Sequence, residues 1–322
     1  MSLRMKLLRK TMRAARKTDS GAVKRKNTMS LKEAIVPNDY FRSINKYLER
    51  FVVKNVYHTT TKIAGIKCHK LGINPNRKYF ARTKLSEEKL LFYIHGGGFC
   101  RGFPLHGVFY MKAMMKRLGC RAIAVDYSLS PENIYPTALN EIVSVYKVLL
   151  KSYAPENIIV TGDSAGGNLG LALLMYLRDN EVPLPSCGVF LSGYFNLNND
   201  SPSYEINKDS DVSLSKEVLD LMAQTYVKGD YCKIPNALCN KGYTSPIRCS
   251  FEGLPPLMFT VCSDELLYDD SAKAYAEAKK KNEKTILYVD KECFHAYPII
   301  GDITQESKKA CNEIEKFIKN FY

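Results

Sequence analysis

The chain has 322 residues, of which 45% are hydrophobic and 25% charged. That balance excludes a disordered or fibrous protein. The longest apolar run, Gly170–Leu177, falls far short of the roughly 18 residues that mark a membrane span. Lys and Arg number 47 against 33 Asp and Glu, a net charge of +14. Residues 1–30 alone hold ten basic residues and one acid, so +9 sits there and only +5 is spread over the rest.

Residues 1–30 alternate basic residues with Leu3, Leu7, Leu8, Met12 and Ala15 at a loose helical spacing. The expectation is a basic tail, flexible or partly helical. Such a segment can touch an anionic membrane surface weakly, and Arg-rich, acid-poor composition is also that of an organelle transit peptide. Charges interrupt it every two or three residues, which leaves no apolar core of the secretory-signal type. No specific nucleic-acid contact is expected. The ten cysteines are scattered, with no CxxC and no zinc spacing. Reduced thiols and a cytoplasmic setting, with peripheral contact at a membrane surface, are the expectation.

Six short apolar runs bounded by Gly, Pro, Asp or Ser predict buried strands: Leu90–Ile94, Arg121–Val125, Asn157–Val160, Val189–Leu191, Leu257–Val261 and Thr285–Val289. Helical periodicity marks Leu105–Arg117, Pro136–Lys151, Asn168–Arg178 and Ser271–Asn282 between them. Alternating strands and helices imply an α/β fold with a mostly parallel central sheet flanked by helices. Residues 197–245 break the rhythm: they are polar, hold one helix near Lys216–Val227, and predict an insertion after a strand.

Chemistry concentrates at the ends of these strands. Gly162-Asp163-Ser164-Ala165-Gly166 lies between a strand and an apolar helix, the strand–turn–helix setting that gives G-x-S-x-G its meaning as a nucleophile turn. His95-Gly96-Gly97-Gly98-Phe99 follows another strand. Consecutive glycines leave backbone N–H groups uncovered, and with the amide of Ala165 they can aim at an oxyanion. A phosphate loop would need G-x-G-x-x-G opening a helix or a P-loop lysine, and neither is present. A serine nucleophile needs a base. In this architecture the order is serine, acid, histidine, and of the histidines at 58, 69, 95, 106 and 295 only His295 follows Ser164. For the acid, Asp264 and Glu265 both follow the strand Leu257–Val261, and position alone does not separate them. Asp269 and Asp270 fit the turn opening the next helix, where carboxylates cap or favour the dipole.

With HGGGF at 95–99, DYSLSPE at 126–132, GDSAGGN at 162–168, GLPPL at 253–257 and the final histidine in this order, the chain from about residue 30 resembles the hormone-sensitive lipase family of α/β-hydrolases. The resemblance implies an α/β-hydrolase fold with a helical cap, built from residues 31–60 and the insertion at about 197–245, on a catalytic domain spanning 61–322. It implies a Ser-His-acid carboxylesterase acting on a small-molecule ester through an acyl-enzyme, as a monomer or homodimer. Neither metal nor organic cofactor is needed. Ser164 would be the nucleophile and His295 the base, with Gly97, Gly98 and Ala165 as the oxyanion hole. His95, Gly96, Phe99 and Asp163 would line the substrate site. The family acid stands nine residues after the proline opening its strand and about thirty before the histidine. Counting from Pro256, and back from His295, selects Glu265, with Asp264 the alternative.

The family's arginine in DYRLAPE is Ser128 here, which removes an expected ion pair. A serine-proline pair is Ser192-Gly193, and the second histidine beyond HGGG is shifted, with His106 nearest. Cys100, Cys262 and Cys293 each stand beside one of the motifs. Two other readings share these residues: an amide or acetyl deacetylase with the same triad, and a hydrolase-fold binding protein that uses its basic tail.

Overall fold

Eight strands form one sheet in the order β1-β2-β4-β3-β5-β6-β7-β8 in a computed structural model that describes residues 1–24, 56–73, 85–103, 107–228 and 242–321. The strands are β1 (Val56–Ile63), β2 (Ile66–Ile73), β3 (Leu90–Ile94), β4 (Arg121–Val125), β5 (Ile158–Asp163), β6 (Cys187–Leu191), β7 (Leu257–Cys262) and β8 (Ile286–Asp290). From β4 to β8 every pairing is parallel, while β1 and β2 pair antiparallel with each other and β2 with β4. The central strands β3, β5, β6 and β7 are buried along their whole length, as continuous Ile/Val/Leu/Phe runs require when helices cover both faces.

The helices are α1 (Leu3–Lys24), α2 (Gly107–Leu118), α3 (Thr137–Leu149), α4 (Ala165–Asp179), α5 (Lys216–Lys228), α6 (Tyr268–Lys281) and α7 (Gln305–Lys319). A further single turn covers Ser203–Ile206. Two apolar clusters form the main core, one on each face of the sheet: Phe92, Val160, Leu173 and Phe259 belong to one, and Leu91, Tyr93, Met111, Val189 and Ile314 to the other.

Several segments differ from the sequence reading. The β1–β2 hairpin, turning at Ala64-Gly65 with positive φ at both, was not expected. Its strands alternate lysine, threonine and histidine with few apolar residues, because only part of each strand is covered. Residues 56–60, expected in the cap, are the start of β1. Helix α7 also escaped the reading. Thr304 caps it through a reciprocal pair of bonds with Ser307, and it buries Ile314, Phe317 and Ile318. The basic segment is helical over Leu3–Lys24 and seats Met5, fully buried, against Val212, Cys293, Phe294 and Tyr297. Residues 25–55, 229–241 and His106 lie outside the described residues, and with them the rest of the tail, most of the expected N-terminal cap and part of the 197–245 insertion.

Candidate active site

Ser164 stands between β5 and α4 with φ 52° and ψ −121°. A side chain is strained at such angles, and the surroundings hold it there. The Ser164 amide donates to Leu191 O at 2.9 Å, and its carbonyl accepts from Tyr194 N (3.0 Å) and Asn168 N (3.1 Å). A Cβ at Gly162 would lie 2.5 Å from Gly166 O and 2.7 Å from Ile94 O, and one at Gly166 would collide with the backbone of Ile94 and His95. The two glycines are therefore steric necessities of the turn. Helix α4 begins at Ala165, three residues earlier than the periodicity predicts, which places Ser164 at the positive end of its dipole.

Beside it, the turn after β3 carries Gly97 at φ 111° and Gly98 at φ 61°. The Gly97 carbonyl accepts from Cys100 N (3.2 Å) and Arg101 N (3.0 Å), while the amides of Gly97, Gly98 and Ala165 donate to nothing among the described residues. A Cβ on Gly98 would run into the Met222 side chain of α5, so the insertion's helix lies directly on this turn. Phe99 is buried and stacks on Tyr226 of α5 with centroids 3.8 Å apart.

His95 and Asp163, expected to line the substrate site, are instead buried supports of the glycine turn. Asp163 Oδ1 accepts from Tyr93 Oη (2.5 Å) and from Gly96 N (2.9 Å). His95 stacks on Tyr127 at 4.2 Å, its Nδ1 lies 2.7 Å from Gly96 O, and Tyr127 Oη donates to the His95 carbonyl at 2.8 Å. Burial lowers the His95 pKa, which keeps the ring neutral there.

The carboxylate that meets His295 is Glu265. Its Oε2 lies 2.6 Å from His295 Nδ1, and its Oε1 accepts from Ser192 Oγ at 2.6 Å and Cys262 N at 2.8 Å. Glu265 is 2% exposed. Asp264 points elsewhere: 23% exposed, it accepts from Glu292 N (3.0 Å) and Ser263 Oγ (2.9 Å) and faces Arg9 of α1 at 3.5 Å. Ser192 and Leu191 bring the two halves together. Leu191 O anchors the Ser164 amide, and Ser192 Oγ accepts from Ala296 N at 3.0 Å, next to His295. The imidazole Nε2 is buried and has no hydrogen-bond partner among the described residues.

Asp211 and Ser213, from the insertion, pin the same loops. Asp211 Oδ2 accepts from Leu266 N (2.8 Å), its Oδ1 from Ser213 N (2.7 Å) and Leu214 N (2.9 Å), and Ser213 Oγ accepts from His295 N (3.2 Å). Burial by itself lowers the His295 pKa. The bond to Glu265 and the charges of Glu265, Asp211 and Asp163 outweigh that and raise it above 6.5. Burial, with Glu265 nearby, raises the Asp211 pKa against the three amides that favour its anion.

Ser192, Asp211 and Ser213 were missed because their partners are distant in sequence. The Ser192-Gly193 departure was the one signal available. Ser128 replaces the lost ion pair with two bonds: its amide and hydroxyl both donate to the Glu141 carboxylate at 2.6 Å.

The profile of the α/β-hydrolase fold matches residues 91–299. The chain belongs to the α/β-hydrolases. It is 31% identical over 237 residues to an esterase of Acinetobacter venetianus, covering 73% of this chain and 76% of the relative. An acetyl-hydrolase of Streptomyces hygroscopicus is 29% identical over 242 residues, covering 74% and 78%. Among solved structures, an esterase from the bacterial hormone-sensitive lipase family superposes with a TM-score of 0.75 at 25% identity, covering 95% of this chain and 98% of that one. The fold of EstE5 superposes at a TM-score of 0.79 over 100% of this chain and 99% of that one, with 24% identity. Within the α/β-hydrolases the chain is a member of the hormone-sensitive lipase family, as its motifs imply.

Proposed function

We propose that this α/β-hydrolase cleaves small carboxylic esters of short- to medium-chain acids, with Ser164, His295 and Glu265 as its triad. The observation that carries the reading is the buried 2.6 Å bond from Glu265 to His295 Nδ1, with Nε2 left unpartnered, at the strand ends where Ser164 projects from a strained turn. Glu265 fixes the tautomer whose Nε2 can take the Ser164 proton. The serine oxygen attacks the ester carbonyl. The amides of Gly97, Gly98 and Ala165 then receive the oxyanion, each such donor contributing about 2.7–4 kcal/mol to acyl transfer. His295 returns its proton to the departing alkoxide, and water attacks the acyl-enzyme with His295 as base again. All three residues come from one chain, so a monomer suffices.

Acyl chains of roughly C2–C6 fit best. Met222 and Tyr226 of α5 press on Gly98 and Phe99, and a short pocket gains about 0.8 kcal/mol per buried methylene only until it is full. The acetyl-hydrolase name of one relative agrees. The test is a nitrophenyl ester series on the wild-type chain and Ser164→Ala. Turnover peaking at short chains and lost in the variant supports the reading. Faster hydrolysis of emulsified long-chain triglyceride, or near-normal turnover by the variant, refutes it.

A further inference from the structure

The outward face of α1 takes no part in this chemistry. At about 100° per residue, Met5, Leu8, Arg9, Met12 and Arg16 share one face, and this face is docked. Met5, Leu8 and Met12 pack into one apolar cluster with Phe294 and Tyr297. Arg9 Nη1 donates to Cys293 O at 2.6 Å, and Arg16 donates to the carbonyls of Lys208 (2.5 Å) and Asp211.

The opposite face carries Leu3, Leu7, Lys10 and Lys17, flanked by Lys6 and Arg13, all exposed. Leu3 is 83% and Leu7 65% exposed, and Ile206, two residues from the Lys208 carbonyl that Arg16 holds, is 76% exposed. No carboxylate side chain occurs before Asp19. Arg13 and Lys17 line a cleft with Glu205, Asp209 and Glu217 of the body, which leaves Lys6 and Lys10 as the cations beside Leu3 and Leu7. Leu3 and Leu7, one turn apart, expose apolar surface that insertion into a bilayer interface would remove from water. Aliphatic side chains among cations match the interface of an anionic bilayer, where the first enter the acyl boundary and the second meet lipid phosphates. A nucleic acid would use the cations, but this stripe offers no aromatic ring for its bases.

We propose that α1 docks the protein onto anionic phospholipid surfaces through Leu3, Leu7, Lys6 and Lys10, while Met5, Arg9, Met12 and Arg16 hold the helix to the body. The proposal stands independently of the esterase reading. It is tested by co-sedimenting the full chain with vesicles of phosphatidylcholine alone and of phosphatidylcholine with phosphatidylglycerol. Binding is expected only to the second, and to weaken as salt rises. Lys6→Gln with Lys10→Gln should lower partitioning roughly 25-fold, at about fivefold per cation. Leu3→Ser and Leu7→Ser should each lower it roughly tenfold. Hydrolysis of soluble esters should be unchanged in all of them. Equal binding to both vesicle types, or wild-type partitioning of either the lysine or the leucine variants, overturns the proposal. Wild-type-like binding in a chain that hydrolyses no ester would sink the esterase reading and leave this one standing.

Discussion

Replacing Glu265 with Gln keeps the size of the side chain and removes one acceptor, and the structure dictates which one. Oε1 faces two donors, the Cys262 amide at 2.8 Å and the Ser192 hydroxyl at 2.6 Å. The amide cannot turn away, and Ser192 Oγ already accepts from Ala296 N. The Gln oxygen is therefore held on that side, and its NH₂ is turned toward His295 Nδ1. Two donors cannot share one bond, so the imidazole shifts its proton to Nε2, and the nitrogen that should accept from Ser164 no longer can. Loss of the correct tautomer costs about 10⁴ in kcat, or about 5.4 kcal/mol on the barrier. Asp264→Asn removes a charge from a partly exposed site beside Arg9. A long pair of this kind, at 3.5 Å and partly exposed, contributes about 1 kcal/mol to stability, and turnover should change less than tenfold. The assay is kcat on a short nitrophenyl ester for both variants, with circular dichroism verifying the fold. Comparable losses, or a greater loss in Asp264→Asn, would refute the assignment of Glu265.

Ser164→Ala should fold normally and lose roughly 10⁶ in kcat if the triad acts as one unit, with no labelling by a fluorophosphonate probe. The raised His295 pKa sets the acid limb of kcat/KM: the base must be neutral, so activity falls as pH drops through a value above 6.5. Asp211→Asn removes an anion that favours the imidazolium and should move that limb to lower pH; an unmoved limb would exclude Asp211 from tuning the histidine. Gly98→Ala combines a positive φ with collision on Met222 and should cost roughly 10²–10³ in kcat, part of which Met222→Ala in the same chain recovers. Asp270→Ala should lower stability in urea by about 3 kcal/mol or more, because it strands the buried amides of Phe195 and Asn196.

Local chemistry made much of this protein legible from sequence alone. Most of the buried strands announced themselves because a sheet covered on both faces needs unbroken apolar runs, and Leu90–Ile94 and Arg121–Val125 match β3 and β4 residue for residue. The run Thr285–Val289 was expected to be buried as well. It forms most of the edge strand β8, where Ile286 and Val289 are exposed because no strand among the described residues pairs beyond it. Gly162 and Gly166 were readable as a turn around Ser164 because backbone crowding at both glycines excludes any side chain. The edges were not legible. The β1–β2 hairpin is half-solvated and its residues alternate without an apolar run, whereas α7 was passed over although Ala310, Cys311, Ile314, Phe317 and Ile318 recur at helical spacing behind the Thr304 cap. Position after the strand named Glu265 and Asp264 as the two candidates for the acid, and only the family resemblance favoured the first. Which carboxylate lies against His295 is a matter of where β7 releases the chain, and that depends on Ser192 and Asp211, more than fifty residues upstream. The same holds for the basic segment. Its charge and leucines were plain in the sequence, but a helical repeat presents two faces, and only the packing of Met5 against Val212 and Tyr297 decides which one is buried and which is left to solvent.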